Sequence, residues 1–362
     1  MATYRIVAPR DLETFCARVF ERLDTPADVA QEVAAHLVRA NLAGHDSHGV
    51  IRVPQYAMQI RQGVILPGAR PSVVREHGAA LLVDAGRGFG QFATRFALER
   101  ALERAATLGV AAVAIRNANH IGRLGDYCEA GARQGFVVEL TAGAAGPGVG
   151  GAAPFGGATR FLGTNPWAIG IPAPGQPIVA DFATTVIAEG KVRVARAKRE
   201  PLPPGCIVDK EGRPSTDPED YYAGGALLHA GGHKGYGLSL AAALLGGLAA
   251  IGQAEPSLAG TPRPANASTG DRIGGVFLVA FDPGAFGDAG EYLATVGRVA
   301  RAAKAVPPAP GVAEVLLPGE PEARTRQERE HSGIAIPDDT WQAIAEVAAG
   351  VDLEMPPFRA AP

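Results

Sequence analysis

An α/β architecture is expected of this chain: a mixed sheet flanked by helices, plus a helical unit built from both termini. Three features point that way. The first 75 residues repeat apolar side chains at helical spacing, and from Ala80 onward short apolar runs alternate with helical patterns in β-α-β order. A proline-rich stretch, Pro307-Pro308-Ala309-Pro310, then leads into one more helical pattern near the C-terminus. The units expected are residues 1–75, 76–305 and 306–362, the last returning to the first.

Taken in order, Leu12, Phe15, Val19 and Leu23 mark the inward face of a helix over Asp11–Leu23. Thr25-Pro26 reads as an N-cap and first helical residue, opening a helix with Val29, Val33 and Leu37 inward and Gly44 as its stop. A third helix is expected from about Ser47 to Arg61. A strand at Leu81–Asp84, a helix over Phe89–Leu108 and a buried strand over Gly109–Ile115 begin the sheet, followed by a helix from Leu124 to Arg133. Further strands are expected at Phe136–Thr141, Trp167–Pro172, Ile178–Asp181 and Gly275–Asp282, with helices at Thr184–Lys198 and Gly235–Ala250. Gln253–Asp271 reads as a surface excursion, and a last helix carries Trp341, Ile344 and Val347 inward.

With 34 Lys and Arg against 37 Asp and Glu, the net charge of −3 supplies no field for nucleic acid or an anionic membrane. The three cysteines, Cys16, Cys128 and Cys206, have no Cys-x-x-Cys spacing, which fits a reducing cytoplasm and implies no zinc site. The N-terminus lacks the apolar core of a signal peptide. Leu238–Ile251, the most apolar later stretch, is shorter than the roughly 20 residues a bilayer span needs.

Chemistry gathers in two places. On a helix from Ser47, residues His48, Arg52 and Tyr56 would fall at i, i+4 and i+8, one stripe of one face. Imidazole can move a proton near neutral pH, and a guanidinium can grip a carboxylate through two parallel hydrogen bonds; reduction of a 2-oxo acid needs both. A solvated face carrying these residues by chance is the plain alternative. The second place is Asn117-Ala118-Asn119-His120-Ile121-Gly122, a polar loop where a buried strand ends, which is where ligands collect in helix-covered sheets.

No dinucleotide fingerprint is present. Gly148-Val149-Gly150-Gly151-Ala152-Ala153 matches G-x-G-x-x-A, but Pro154 and Phe155-Gly156-Gly157 stand where a helix is required. Gly231-Gly232-His233-Lys234-Gly235 suits a pyrophosphate better, because flexible backbone leads into a helix N-terminus beside a lysine. The cluster Lys191, Arg193, Arg196, Lys198 and Arg199 could meet a 2′-phosphate, although a solvated helix face explains it as well.

The motifs Asp46-Ser47-His48-Gly49 with Arg52 and Tyr56, Asn117-Ala118-Asn119-His120-Ile121-Gly122, Pro154-Phe155-Gly156-Gly157, Leu162-Gly163-Thr164-Asn165-Pro166, Asp181-Phe182-Ala183-Thr184, Thr216-Asp217-Pro218, His233-Lys234-Gly235-Tyr236-Gly237 and Pro318-Gly319-Glu320 stand in one order along the chain. In that order they resemble the type-2 malate/L-lactate dehydrogenase family, which includes ureidoglycolate and sulfolactate dehydrogenases and cyclic imino acid reductases. The resemblance implies a non-Rossmann dinucleotide-binding domain at 76–305 and hydride exchange between a nicotinamide cofactor and a 2-hydroxy/2-oxo acid, or a cyclic imine carboxylate. It implies His120 as the acid/base residue, with His48 as rival, Ser47 bonded to substrate or His48, Arg52 on the carboxylate and Tyr56 lining the pocket. Cofactor contacts are implied at His120, Thr164, Asn165, Asp181, Phe182, Ala183, His233, Lys234, Gly319 and Glu320, together with a homodimer; the reading of the basic cluster as a solvated face favours NAD and leaves NADP open, and no metal is expected. One departure stands out: many relatives carry polar residues after the strand at Phe136–Thr141, where this chain has Ala142-Gly143-Ala144-Ala145-Gly146-Pro147-Gly148-Val149-Gly150-Gly151 and so a loop without charge.

Two other chemistries use the same residues. Asp46, Ser47 and His48 could belong to a Ser-His hydrolase, though no G-x-S-x-G elbow accompanies them and adjacent side chains project apart. His45 and His48 could ligate a metal, but no Glu or Cys partner stands at ligand spacing.

Overall fold

The computed structural model describes residues 4–251 and 272–360, apart from the side chain of Ala197. The chain opens with strand β1 (Tyr4–Val7) and helices α1 (Pro9–Glu21), α2 (Ala27–Leu42) and α3 (Val53–Arg61). Strands β2 (Ser72–His77) and β3 (Ala80–Asp84), helix α4 (Gly90–Leu108), strand β4 (Val110–Arg116), helix α5 (Leu124–Arg133) and strands β5 (Val137–Ala145), β6 (Trp167–Ile171) and β7 (Ile178–Phe182) follow. Next come α6 (Glu189–Lys198), β8 (Ile207–Val208), β9 (Pro214–Ser215), α7 (Pro218–Tyr222), β10 (Ala226–Leu227) and α8 (His233–Gly246). Beyond residue 271 lie β11 (Ile273–Phe281), α9 (Ala289–Lys304), α10 (Glu320–Ser332), β12 (Ile334–Pro337), α11 (Asp338–Ala349) and β13 (Arg359–Ala360).

The central sheet has the order β2-β3-β4-β11-β5-β6-β7. Only β3 and β4 run parallel, joined by the α4 crossover, and the other neighbours are antiparallel. The sheet is therefore mixed, with helices on its faces. Val83, Leu98, Leu102, Val113, Tyr127, Leu140 and Leu278 fill its core.

A second core forms where the termini meet. β1 pairs with β12 and β13, and Leu12, Phe15, Val19, Val29, Val33 and Leu37 pack with Trp341, Ile344 and Val347. All nine positions carry the inward apolar repeat of their helices.

Several elements differ from expectation for identifiable reasons. The helix expected from Ser47 begins only at Val53, because Pro54 lacks the amide an interior helical residue must donate and sits instead in the first turn. Ahead of it run two short 3-10 turns, Asp46–His48 and Val50–Arg52, separated by extended Gly49. α6 starts at Glu189 rather than Thr184, since the Thr184 amide and hydroxyl both bond the Thr164 carbonyl and hold that segment out of the helix. Pro26, not Thr25, is the N-cap of α2, and it has no side-chain capping bond.

β5 continues to Ala145, so part of the Gly/Ala-rich run is strand rather than loop. Its small residues have a packing reason: a Cβ on Gly143 would lie 2.5 Å from the Ala242 and Ala243 backbone of α8. The excursion expected at Gln253–Asp271 lies outside the described residues. No helix among the described residues is long and apolar enough to cross a membrane.

Candidate active site

His120 lies in the loop that leaves β4, and that loop is pinned on three sides. Asn119 Nδ2 donates to the carbonyls of Arg87 and Gly88 at 2.8 and 2.9 Å, and Asn117, left-handed at φ 54°, donates to Asp84. Gly122 passes so close to α2 that a Cβ would come within 2.1 Å of His36 Nε2.

The segment Asp46–Arg52 is fixed by α2 and α10. Asn41 Oδ1 accepts the Val50 amide at 2.8 Å, Asn41 Nδ2 donates to Asp46 at 2.6 Å, and Arg329 donates to Asp46 at 2.7 Å. A Cβ on Gly49 would fall 2.2 Å from the Asn41 side chain, so only glycine lets the turn close against it. Arg52 Nε donates to the Ser47 carbonyl and Nη1 to Gln55 Oε1, each at 2.7 Å, which aims the guanidinium before any ligand arrives.

These segments converge. His48 stacks on His120 with ring centroids 5.5 Å apart and planes 20° from parallel. The Tyr56 hydroxyl, on α3 one turn beyond Arg52, lies 2.6 Å from His120 Nδ1, and Gln91 Nε2 on α4 donates to the same hydroxyl at 2.6 Å. Burial first, then the positive Arg52, holds both imidazoles below their ordinary pKa, and burial pushes the Tyr56 phenol well above its own. The result is a neutral imidazole pair beside a fixed cation, suited to an anionic ligand and to proton transfer. His48, Arg52 and Tyr56 thus come together without the continuous helix expected to align them.

Other candidate residues are placed differently. Gly231 and Gly232, at φ 67° and 61°, lead into the N-terminus of α8, where His233 and Lys234 are exposed. A Cβ on Gly235 would fall 2.0 Å from the Ala230 carbonyl, so the turn is drawn tight under the helix end. The positive end of the helix and a lysine beside it fit the pyrophosphate of a dinucleotide.

Thr164 and Ala183 are partly exposed and Phe182 is 47% exposed, leaving an accessible aromatic face. By contrast Asn165 spends its amide on Ala144 and the Ser239 carbonyl. Asp181 accepts the Gly125 amide at 2.8 Å and faces Arg123, and Glu320 pairs with Lys304 at 2.6 Å. Gly319 packs on Val179. The Asn165, Asp181 and Glu320 side chains brace the fold.

Ser47 Oγ reaches His48 Nδ1 at 2.9 Å, so the adjacent pair does meet, contrary to the expectation that the two side chains project apart. Asp46 does not complete a triad, because Asn41 and Arg329 hold it. His45 pairs with Glu322 at 3.3 Å, and no cluster of three metal-ligating side chains occurs among the described residues. In the basic cluster, Arg196 pairs with Glu219 and covers the Tyr222 ring, as a surface helix does.

Residues 7–345 match the family described as malate/L-lactate dehydrogenase. The chain belongs to that family. It is 37% identical over 347 residues to hydroxycarboxylate dehydrogenase B of Escherichia coli (strain K12), covering 94% of this chain and 93% of that protein. Its fold matches the sulfolactate dehydrogenase from Methanocaldococcus jannaschii with a TM-score of 0.85 at 33% identity, over 96% and 98% of the two chains. It also matches delta1-piperideine-2-carboxylate reductase from Pseudomonas syringae pvar. tomato, with a TM-score of 0.81 at 30% identity over 95% and 99%. Nothing in these likenesses points to a hydrolase.

Within this family member, Gln91, Asn41, Gln55 and Arg329 support the site and were not anticipated from sequence. A signal existed for Gln91: it stands with Thr94 and Leu98 on the buried stripe of α4, where a polar side chain needs a partner.

Proposed function

We propose that this member of the malate/L-lactate dehydrogenase family catalyses reversible hydride exchange between NAD and a small 2-hydroxy/2-oxo acid. The Tyr56–His120 contact at 2.6 Å, one turn beyond a preset Arg52 that ends the 3-10 turn leading into the Tyr56 helix, carries this reading. Arg52 holds the substrate carboxylate, and its anchors on Ser47 and Gln55 orient the carbon to be reduced. His120 gives a proton to the developing alkoxide, or takes one from the hydroxyl in the reverse direction, and His48 beside it is the rival for that role. Ser47 orients His48.

The nicotinamide ring, when bound, supplies or accepts the hydride. His233, Lys234 and the α8 N-terminus would hold the pyrophosphate, and the accessible Thr164, Phe182 and Ala183 would take other parts of the dinucleotide. NADP is the other cofactor candidate, and the cytoplasm is the compartment that fits the three buried free cysteines.

A homodimer is part of the proposal. α8 is apolar on all sides, yet Leu238 and Leu244 are 42% and 51% exposed, a face that a second copy would cover. A second substrate class, cyclic imine carboxylates, is favoured by the likeness to the piperideine-carboxylate reductase, since a C=N bond asks for the same carboxylate clamp and proton donor.

The test is oxidation of NADH and NADPH with pyruvate, oxaloacetate, phenylpyruvate, 2-oxoglutarate and a cyclic imine carboxylate. Turnover of at least one 2-oxo acid is expected. Turnover of the imine alone would move the assignment to the reductase branch, and no turnover of any would remove it.

A further inference from the structure

Tyr56 and Gln91 form a buried chain behind His120. The tyrosine is 1% exposed and the glutamine fully buried, and the two contacts, His120 Nδ1 to hydroxyl and hydroxyl to amide, are each 2.6 Å. As the amide stands, Gln91 Nε2 donates to the hydroxyl, and Gln91 Oε1 is buried without a partner among the described residues. A half-turn of the amide exchanges oxygen for nitrogen with almost no change of shape.

We propose that Gln91, acting through the Tyr56 hydroxyl, is the positioning residue that decides which ring nitrogen of His120 carries the proton. The inference rests on the assignment of His120 as an acid/base residue. Tyr56 has one proton to donate. With Gln91 Nε2 on the hydroxyl, that proton goes to His120 Nδ1, and neutral His120 carries its own proton on Nε2. With Gln91 Oε1 there, Tyr56 donates to the amide and accepts from Nδ1–H, and Nε2 is left with a lone pair. Only the second arrangement lets Nε2 take a proton from a substrate hydroxyl while Nδ1 keeps its own, giving an imidazolium with both protons hydrogen-bonded and the phenol never ionised. The chain holds no carboxylate, so the amide sets the tautomer without placing a counter-charge behind the ring.

Ring-15N histidine spectra of the free protein read the tautomer directly, with the His120 signals assigned by their loss in His120→Ala. Gln91→Glu, whose carboxylate only accepts, is expected to drive His120 to the Nδ1–H form. Gln91→Met, with no strong donor or acceptor, is expected to release it toward a mixture. Tyr56→Phe removes one hydroxyl only, should shift the ring nitrogens as Gln91→Met does, and should lower kcat about tenfold with KM within about twofold. The same tautomer ratio in wild type, Gln91→Glu and Gln91→Met would overturn the inference; were the Gln91 variants not to fold, an unshifted Tyr56→Phe spectrum would do so alone. No substrate enters the spectra. Shifted nitrogens without turnover would therefore sink the proposed reaction and spare this inference, and turnover with unshifted nitrogens would do the reverse.

Discussion

Burial and the charge of Arg52 both act against a second proton on His120 and His48, and that sign fixes the expected pH behaviour. In the oxidising direction the base must be unprotonated, so kcat/KM should stay flat through pH 7 and fall only below the ordinary histidine value of about 6.5. In the reducing direction it should rise as pH falls over the same range. A profile centred at or above pH 7 would show that these surroundings do not govern the reacting imidazole. For stability, a depressed histidine is fully favourable above the unfolded-state pKa and loses that contribution as pH drops below it, so the melting temperature should decline below about pH 6.5. Arg52→Lys should raise KM by tenfold or more, since an ammonium cannot reproduce the fork. An unchanged KM would take Arg52 out of the substrate site. Reactive side-chain types single out His48, Arg52, Tyr56 and His120 as candidates in the sequence, and the fold brings His48 and Tyr56 against His120. Gln91 was not, because a glutamine in a helix declares itself only when its stripe is known to be buried.

At the level of elements, long periodic segments were readable and constrained turns were not. α1, α2 and α4 follow their apolar repeats, but Pro54 and Gly49 divide what spacing alone presents as one helix. β8, β9 and β10 are two residues each, too short for alternation to register, and α10 buries no side chain that a repeat could mark. The close approaches give testable glycines. Gly49→Ala must push Asn41 aside and displace the His48 turn, so kcat/KM should fall by up to about 100-fold with the circular dichroism spectrum retained. Gly143→Ala presses on the α8 backbone instead and should cost about 1–3 kcal/mol in urea unfolding, from overpacking.

Across the whole molecule, the return of the C-terminus to the N-terminal helices was legible in Trp341, Ile344 and Val347. What joins that unit to the sheet was not, because charges on helices ordinarily read as solvated faces. Asp126 on α5, 6% exposed, is contacted by His36 and Arg39 of α2 and by Arg95 of α4, at 2.8 to 3.2 Å. Burial opposes ionisation, yet His36 and Arg39 hold the carboxyl far below the usual range. Asp126→Ala removes the buried carboxylate and leaves Arg39 and Arg95 only Glu32 as an acidic partner among the described residues, which should destabilise the fold by about 3 kcal/mol, read as a lowered melting temperature. Leu244→Glu places a charge on the exposed apolar face of α8 and should shift sedimentation from dimer to monomer. The central claim, that His120 moves the proton while hydride passes to the carbon of an acid held by Arg52, is tested most directly by isotope transfer. With NADH deuterated at the transferring C4 position and a 2-oxo acid that the enzyme turns over, the deuterium should appear at C2 of the 2-hydroxy acid. The rate in His120→Ala should be at least about 100-fold lower, with cofactor affinity kept. Product without deuterium at C2, or wild-type rates in His120→Ala, would contradict the account.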